Sequence, residues 1–401
     1  MKILFVHQNF PGQFRHLAVA LAAEGHEVVA LGVRAPEASF PGIRHLRHRP
    51  RVIGHFNSSH PLAQGELDWL SKQSRGDSAA RAMRQLRGEG FTPDVVVAHP
   101  GWGEALFAKD VFPGAKLLIY AEFFYGGDMS DTTFDPEFAA AGDYCCERAR
   151  MKNTHLLHAL SEADAMIFPT QFQRQRHPAW AQQRIQVIHD GIDTDRFKPD
   201  PHASVHLKAA GVTLKPGDEV VTFVARNLEP YRGYHIFMRA LPLLQQLRPR
   251  CRVVIVGGDG VSYGARPPEG RSWREIFKAE VAQHLDYSRL HFVGKLPHDM
   301  LTRLMQVSAA HVYLTYPFVL SWSLLEAMSI GCLVVASDTA PVREVIEDGR
   351  TGFLTDFFDM EMLAKRVADV LDRRPSFVAF GEAARREIQS GYDLYSRCLP
   401  A

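Results

Sequence analysis

Two arginines six positions apart, Arg226 and Arg232, carry the clearest chemistry in this 401-residue chain. They stand in Val224-Ala225-Arg226-Asn227-Leu228-Glu229-Pro230-Tyr231-Arg232-Gly233, where an apolar run ends at the first and a glycine follows the second. A guanidinium presents a fork of donors that fits phosphate oxygens two at a time. A helix starting at the glycine adds backbone N–H groups and a favourable dipole. Converging around a turn, the two cations suit a diphosphate; two solvated surface arginines are the plain alternative. A second stretch, Tyr316 to Val335, passes from an apolar run through a turn holding Ser321, Trp322 and Ser323. It continues into a helical segment with one carboxylate, Glu326, then Gly331 and another apolar run.

In the first half, Phe10-Pro11-Gly12-Gln13-Phe14 follows the first apolar run, which puts Gly12 and Gln13 at a helix start able to meet an anion. His99 comes directly after Val95–Ala98 and Glu122 directly after Leu117–Ala121. Those are strand C-terminal ends, where α/β sites gather; a capping or packed histidine is an equal reading of His99. Asp128, Asp131 and Asp135 form an acidic loop that could meet a substrate hydroxyl, with a solvated loop the preferred reading. Arg44, Arg47, Arg49 and Arg51, with His45 and His48, make a basic run without acids. It reads as a solvated loop, or as a contact for an anionic surface.

Other motifs carry less. Gly260-Val261-Ser262-Tyr263-Gly264 fits a G-x-S-x-G elbow, but Pro267, Pro268 and Gly270 follow where the elbow needs a helix. Asp193-Thr194-Asp195 lies in a Gly- and Pro-rich stretch where aspartate commonly makes Asx turns. His155 with His158, and His45 with His48, lack a cysteine or carboxylate at ligand spacing, so no metal site is expected. Neither a dinucleotide-binding glycine fingerprint nor a Walker A sequence is present, which argues against dehydrogenases and P-loop enzymes.

The elements that must position these residues alternate regularly. Ile3–Val6, Val28–Leu31, Val95–Ala98, Leu117–Ala121, Ala165–Phe168 and Ile185–Ile188 are short continuous apolar runs, with a helical pattern at Phe14–Ala23. Continuous rather than alternating runs suit parallel strands covered on both faces. From His189 to about Gly217 the rhythm breaks into a linker followed by a short helix. It then resumes with Val220–Ala225, Val253–Val256, Leu290–Val293, His311–Leu314, Leu333–Ala336 and Gly352–Leu354. Helices are predicted at Tyr234–Leu247, Trp273–Leu285, Asp299–Gln306, Ser323–Ser329 and Glu361–Leu371. Two doubly wound α/β halves joined by a linker would face a cleft, a favoured ligand site.

Composition bounds the rest. Lys and Arg number 46 against 45 Asp and Glu, a net charge of +1, which excludes a dedicated nucleic-acid binder. Five cysteines make no disulfide framework, which points to a reducing compartment. No run is long enough to cross a membrane, and Met1 to Val6 reads as a first strand rather than a leader. The expectation is a cytoplasmic protein, with any membrane contact made at the inner face through the basic run.

Order and spacing of these pieces resemble the retaining glycosyltransferases of family 4, which have the GT-B fold. Ala225-Arg226-Asn227 with Arg232-Gly233 resembles the family's G-R-L…K-G element, with Arg for the usual Lys. His189-Asp190-Gly191-Ile192-Asp193 resembles its P-N-G-V-D hinge, and Leu325 through Val335 its L-E-A-M-A-x-G-x-P-V-V element. Gly25-His26-Glu27-Val28 matches G-H-E-V after the first helix. The family's first glutamate, eight positions before the second, is here Phe318, and Val319-Leu320-Ser321-Trp322 replaces Gly-Phe-Gly-Leu.

The resemblance implies two Rossmann-like domains facing a cleft: residues 1–192 on the acceptor side and 193–377 on the donor side, with a C-terminal helix of about 378–401 packing back on the first. It implies transfer of a sugar from a nucleotide-diphosphate donor to a glycan, lipid-linked or small-molecule acceptor, with retention, and with no metal or other cofactor. Arg226 and Arg232 would stabilise the leaving diphosphate and Glu326 would hold the ribose hydroxyls. Gly12, Gln13, Gly257, Leu296, Ser321, Trp322 and Ser323 would line the donor site, and His99 and Glu122 would lie near the reacting sugar. An epimerase or hydrolase of the same fold, or a non-catalytic nucleotide-sugar or glycan binder, are the alternatives.

Overall fold

The computed structural model describes residues 1–34, 39–54, 60, 62–126, 131–139 and 145–401, apart from the side chain of Cys145. They form two compact units. Unit 1 comprises Met1–Ser130, Ala140–Asp190 and Cys398–Ala401; unit 2 comprises Asp131–Ala139 and Gly191–Arg397.

Unit 1 is built on seven parallel strands: β1 (Lys2–Val6), β2 (Glu27–Gly32), β3 (Ile43–Arg47), β4 (Val95–Ala98), β5 (Lys116–Tyr120), β6 (Ala165–Phe168) and β7 (Ile185–Val187). Their order is β3-β2-β1-β4-β5-β6-β7, so the winding reverses between β1 and β4. Successive side chains of a strand point to opposite faces, and β1 divides accordingly. Leu4 and Val6 join a core with Met83, Leu86 and Phe168. Ile3 and Phe5 join one with Phe10, Phe14 and Ala18 on the other face.

Two elements of unit 1 depart from expectation. The basic run is not a loop at its start, because Ile43–Arg47 pairs in parallel with β2, Ala30 opposite His45. As an edge strand it carries charge outward, a common guard against stray pairing. Arg44 pairs with Glu89, and the Arg47 Nε donates to the Val33 carbonyl at 3.3 Å. Arg49 and Arg51 follow, exposed, while His48 is buried. The second is a 26-residue helix, Ala63–Gly88, whose buried face is made of Ala63, Gly76, Ser78, Ala79, Ala80, Ala82, Met83 and Leu86.

The stretch after His189 holds a two-stranded antiparallel hairpin, β8 (Val205–Leu207) with β9 (Val212–Leu214), and the expected short helix is the single 3₁₀ turn Lys208–Ala210 between them. Unit 2 then places β10 (Val220–Asn227), β11 (Arg252–Gly258), β12 (Leu290–Gly294), β13 (Ala310–Tyr313), β14 (Val334–Ser337) and β15 (Phe353–Thr355) in the order β12-β11-β10-β13-β14-β15. All pairs are parallel and the winding reverses between β10 and β13. The helix Trp322–Ile330 is buried from Ser323 to its end, as its apolar composition on all sides requires. It packs against the helix Val378–Gly391, where Gly331 and Gly381 meet closely. That C-terminal helix therefore belongs to unit 2, and only Cys398–Ala401 join unit 1. No helix among the described residues is long and apolar enough to cross a membrane.

Candidate functional site

In unit 2 the site elements converge on the C-terminal ends of β10 and β13, the reversal point where open α/β sheets take their ligands. Arg226, in the last turn of β10, is exposed and pairs with no carboxylate among the described residues. Its neighbour Asn227 turns inward and donates from Nδ2 to Ser262 Oγ at 2.7 Å. Glu229 is 1% exposed and accepts the backbone N–H groups of Ser262 and Tyr263, each at 3.0 Å. Burial raises its pKa, against those N–H groups and Arg232. The G-x-S-x-G sequence is thus a loop braced by a buried acid, not a nucleophile elbow, and the next α-helix begins only at Trp273.

Arg232 differs from Arg226. It is 8% exposed, and its Nη1 donates to Thr315 Oγ1 at 2.8 Å, the Val319 carbonyl at 3.0 Å and Tyr313 Oη at 3.3 Å. One guanidinium therefore ties the Arg226–Gly233 segment to the turn after β13. Gly233 is required at this junction: its φ is +64°, and a Cβ there would lie 2.3 Å from the Leu314 Cβ.

Ser321 caps the helix Trp322–Ile330, accepting the Ser323 N–H at 3.3 Å, and the two serine hydroxyls lie 2.8 Å apart. Glu326, 6% exposed, has its Oε1 at 3.0 Å from His298 Nε2. The His298 ring packs on Phe197 at 5.2 Å. Phe318 is buried among Tyr231 and Tyr263, with centroids at 5.5 and 4.8 Å. Gly257 lies within β11, where a Cβ would press on the Ala225 carbonyl. Leu296 packs into the core beneath β12. Beside it, Lys295 reaches over Gly258 and brings a third cation to these strand ends.

Unit 1 has its own cluster at the ends of β1, β4 and β5. His7 Nδ1 accepts the Asn9 N–H at 3.0 Å, which leaves the proton on Nε2 to donate to Gln13 Oε1 at 2.8 Å. Gln13 in turn donates to Glu122 Oε1. His99 Nδ1 accepts the Gly101 N–H at 3.1 Å, so its Nε2 proton points toward Glu122 Oε2, 3.6 Å away. Burial alone would raise the Glu122 carboxyl, but His99, Gln13 and His7 outweigh it and hold it below the usual carboxylate range. Desolvation pushes His7 down to about 3, so it stays neutral. The Glu122 side chain is 30% exposed, an ionised carboxylate open to solvent on a buried relay. Gly12 closes the turn beneath His7.

The acidic loop is not solvated where it is described. Asp131–Ala139 folds as part of unit 2, with Asp131 and Asp135 buried. Tyr231 Oη donates to Asp131 at 3.0 Å, and Tyr316 Oη donates to Asp135 Oδ2 at 2.6 Å. Burial works against ionised Asp135, but His235 and Tyr316 hold its pKa low. Asp128 lies outside the described residues. Asp193 Oδ1 accepts the Arg196 N–H, three residues on, at 3.0 Å, a local use of the carboxylate rather than a metal ligand. His155 is buried and contacts the Gly101 carbonyl.

The family profile "Glycosyl transferase family 4 group" matches residues 24–197, and "Glycosyl transferases group 1" matches residues 208–387. The chain belongs to glycosyltransferase family 4. Glycogen synthase of Mycobacterium tuberculosis is 26% identical over 416 residues, covering 98% of this chain and 91% of that one. D-inositol 3-phosphate glycosyltransferase of Streptomyces avermitilis is 23% identical over 361 residues, 86% of this chain. The chain spans 64% of the length of that relative, and 57% of a GDP-mannose-dependent mannosyltransferase of Mycolicibacterium smegmatis at 28% identity. Among solved structures, sucrose-phosphate synthase from Thermosynechococcus elongatus superposes with a TM-score of 0.74 at 16% identity, covering 100% of this chain and 97% of that one. Anabaena Alr3699/HepE in complex with UDP-glucose gives 0.68 at 17% identity, covering 98% and 96%. The fold is GT-B, two Rossmann-like α/β units. Sequence alone singles out none of Glu229, Lys295, His298 and His7, and it places Asp131 and Asp135 in solvent. Glu229 had a signal, an acid lying between two phosphate-type arginines; the others depend on contacts far apart in sequence.

Proposed function

We propose that the protein is a retaining, metal-independent glycosyltransferase that moves a sugar from a nucleoside-diphosphate donor to a hydroxyl of a glycan, lipid-linked or small-molecule acceptor. The observation that carries this reading is the set Arg226, Arg232 and Glu326 at the β10/β13 reversal of a family 4 chain. Departure of the diphosphate places growing negative charge where Arg226 is exposed, with no carboxylate partner among the described residues, and where the helix Tyr234–Leu247 begins. Prealigned cations and backbone dipoles stabilise that charge in the transition state, the task a metal ion performs elsewhere. Glu326 accepts ribose hydroxyls through the lone pairs His298 leaves open. Glu122, kept ionised, accepts the hydrogen bond of the attacking hydroxyl in unit 1. The bond from anomeric carbon to phosphate oxygen breaks with its electron pair leaving on the diphosphate. The acceptor oxygen joins the same face of the sugar and passes its proton to the departing diphosphate oxygen.

The test is a thermal-shift screen of UDP, GDP, ADP and TDP with their sugar forms, since a ligand bound only by the native state raises the melting temperature. The matching donor is then used for turnover with and without EDTA, and the product's anomeric configuration is read by NMR. Arg226→Ala is expected to lower kcat/KM at least about 100-fold; a change within twofold removes the diphosphate role. Phe318, packed among aromatic rings where the family has a glutamate, favours a second reading as a nucleotide-sugar binder. Donor binding with no new glycoside from any acceptor would establish it.

A further inference from the structure

Asp131–Ala139 falls in sequence between β5 and β6 of unit 1, yet these nine residues fold with unit 2. Three carboxylates and two phenylalanines hold them. Asp131, 1% exposed, takes the Tyr231 hydroxyl at 3.0 Å. Asp135, 3% exposed, takes the Tyr316 hydroxyl at 2.6 Å and lies 2.9 Å from His235 Nε2. Glu137 receives Arg239 in two bonds, at 2.7 and 2.8 Å. The Phe134 ring centroid lies 5.2 Å from those of Tyr316, Phe357 and Phe358, and Phe138 packs against His235, Trp273 and Phe277.

Burying two carboxylates and ordering a loop both cost free energy that a solvated acidic loop avoids. What this outlay secures is local. Tyr231 immediately precedes Arg232, and Tyr316 immediately follows Thr315, whose hydroxyl takes Arg232 Nη1 at 2.8 Å. The Tyr316 N–H donates to the Tyr231 carbonyl at 3.0 Å, and the two rings lie 4.7 Å apart. The segment therefore grips, by one hydroxyl each, the two chain strands that Arg232 bridges.

We propose that Asp131–Ala139 is a positioning strap for the donor diphosphate: through Tyr231 and Tyr316, Asp131 and Asp135 set the Arg232 guanidinium and the turn after β13. The proposal rests on the donor reading above and deepens it. None of the strap residues touches the donor; they are positioning residues acting through Arg232 and its turn.

The test removes hydroxyls and keeps rings. Calorimetry compares wild type with Tyr231→Phe/Tyr316→Phe and with Asp135→Asn, using UDP, GDP and ADP against UMP, GMP and AMP. For the diphosphate that binds wild type, Kd is expected to rise about tenfold, while the matching monophosphate stays within twofold. Diphosphate affinity within twofold of wild type overturns the strap, as does equal loss for mono- and diphosphate, which signals general loosening. A second measurement needs no variant: saturating diphosphate should slow amide hydrogen exchange across 131–139, and the monophosphate should not. Unchanged exchange overturns the proposal. Wild type that binds no diphosphate sinks the donor reading itself, an outcome distinct from intact binding with insensitive variants.

Discussion

Arg226 and Arg232 look alike in the sequence and do different work in the fold. One stands in solvent at a strand end; the other spends one nitrogen on three protein acceptors. The difference arises because Arg232 sits in a short 3₁₀ turn, Pro230–Arg232, that points into the β10/β13 reversal. Gly233 permits that turn. An L side chain there meets both a left-handed backbone, costing about 1 kcal/mol, and the Leu314 Cβ at 2.3 Å. Gly233→Ala is expected to lose about 2 kcal/mol or more, lowering Tm by roughly 4–8 °C. It should also weaken diphosphate affinity, because Arg232 is displaced; calorimetric Tm and Kd check both. As candidates, Arg226, Arg232 and Glu326 were legible from type and spacing within two short stretches. His298 was not, since Glu326 lies 28 positions further along the chain and meets it only in the fold.

At the scale of elements, legibility followed composition. The buried parallel strands announce themselves as unbroken Val, Ile and Leu runs because both their faces are covered. The edge strand β3 does not, since three of the five residues of Ile43–Arg47 are charged or polar and its two arginines face outward. The helix Ala63–Gly88 also escapes notice, because its buried face is Gly, Ala and Ser rather than large apolar residues. Its Gly76 gives a prediction in which two effects compete. Gly76→Ala gains about 1 kcal/mol of helix propensity. Its new Cβ, however, would lie 2.9 Å from the Gly103 carbonyl oxygen and 3.0 Å from Leu106 Cβ. Backbone cannot yield cheaply, so the variant is expected to be less stable, with a lower Tm; a higher one would show that the helix slides to make room.

The whole molecule carries many neutral, buried histidines. Burial is the first cause for each, lowering His7 to about 3 and His48, His155, His177, His189 and His311 to about 4. The unfolded chain binds protons at these sites near pH 6.5 while the native one does not. Stability therefore rises with pH through that window and is lost as pH falls from about 6.5 toward 4. Asp135 and Glu122, held low in the native state, extend the loss below the usual carboxylate range. Melting temperature measured from pH 8 to pH 4 should be flat above about 7 and then fall with uptake of several protons; a flat profile to pH 5 would show that these histidines are solvated.

By itself the sequence determined the α/β alternation, the family and the cationic segments at the strand ends, because each is written in residues close together along the chain. It placed Asp131 and Asp135 in a loop, and by composition that loop belongs in water. Only the tertiary structure decided that they are buried, because the partners that repay desolvation, Tyr231, Tyr316 and His235, lie about a hundred or more residues away. A carboxylate's fate depends on what the fold brings within hydrogen-bond reach, and local pattern does not contain that information.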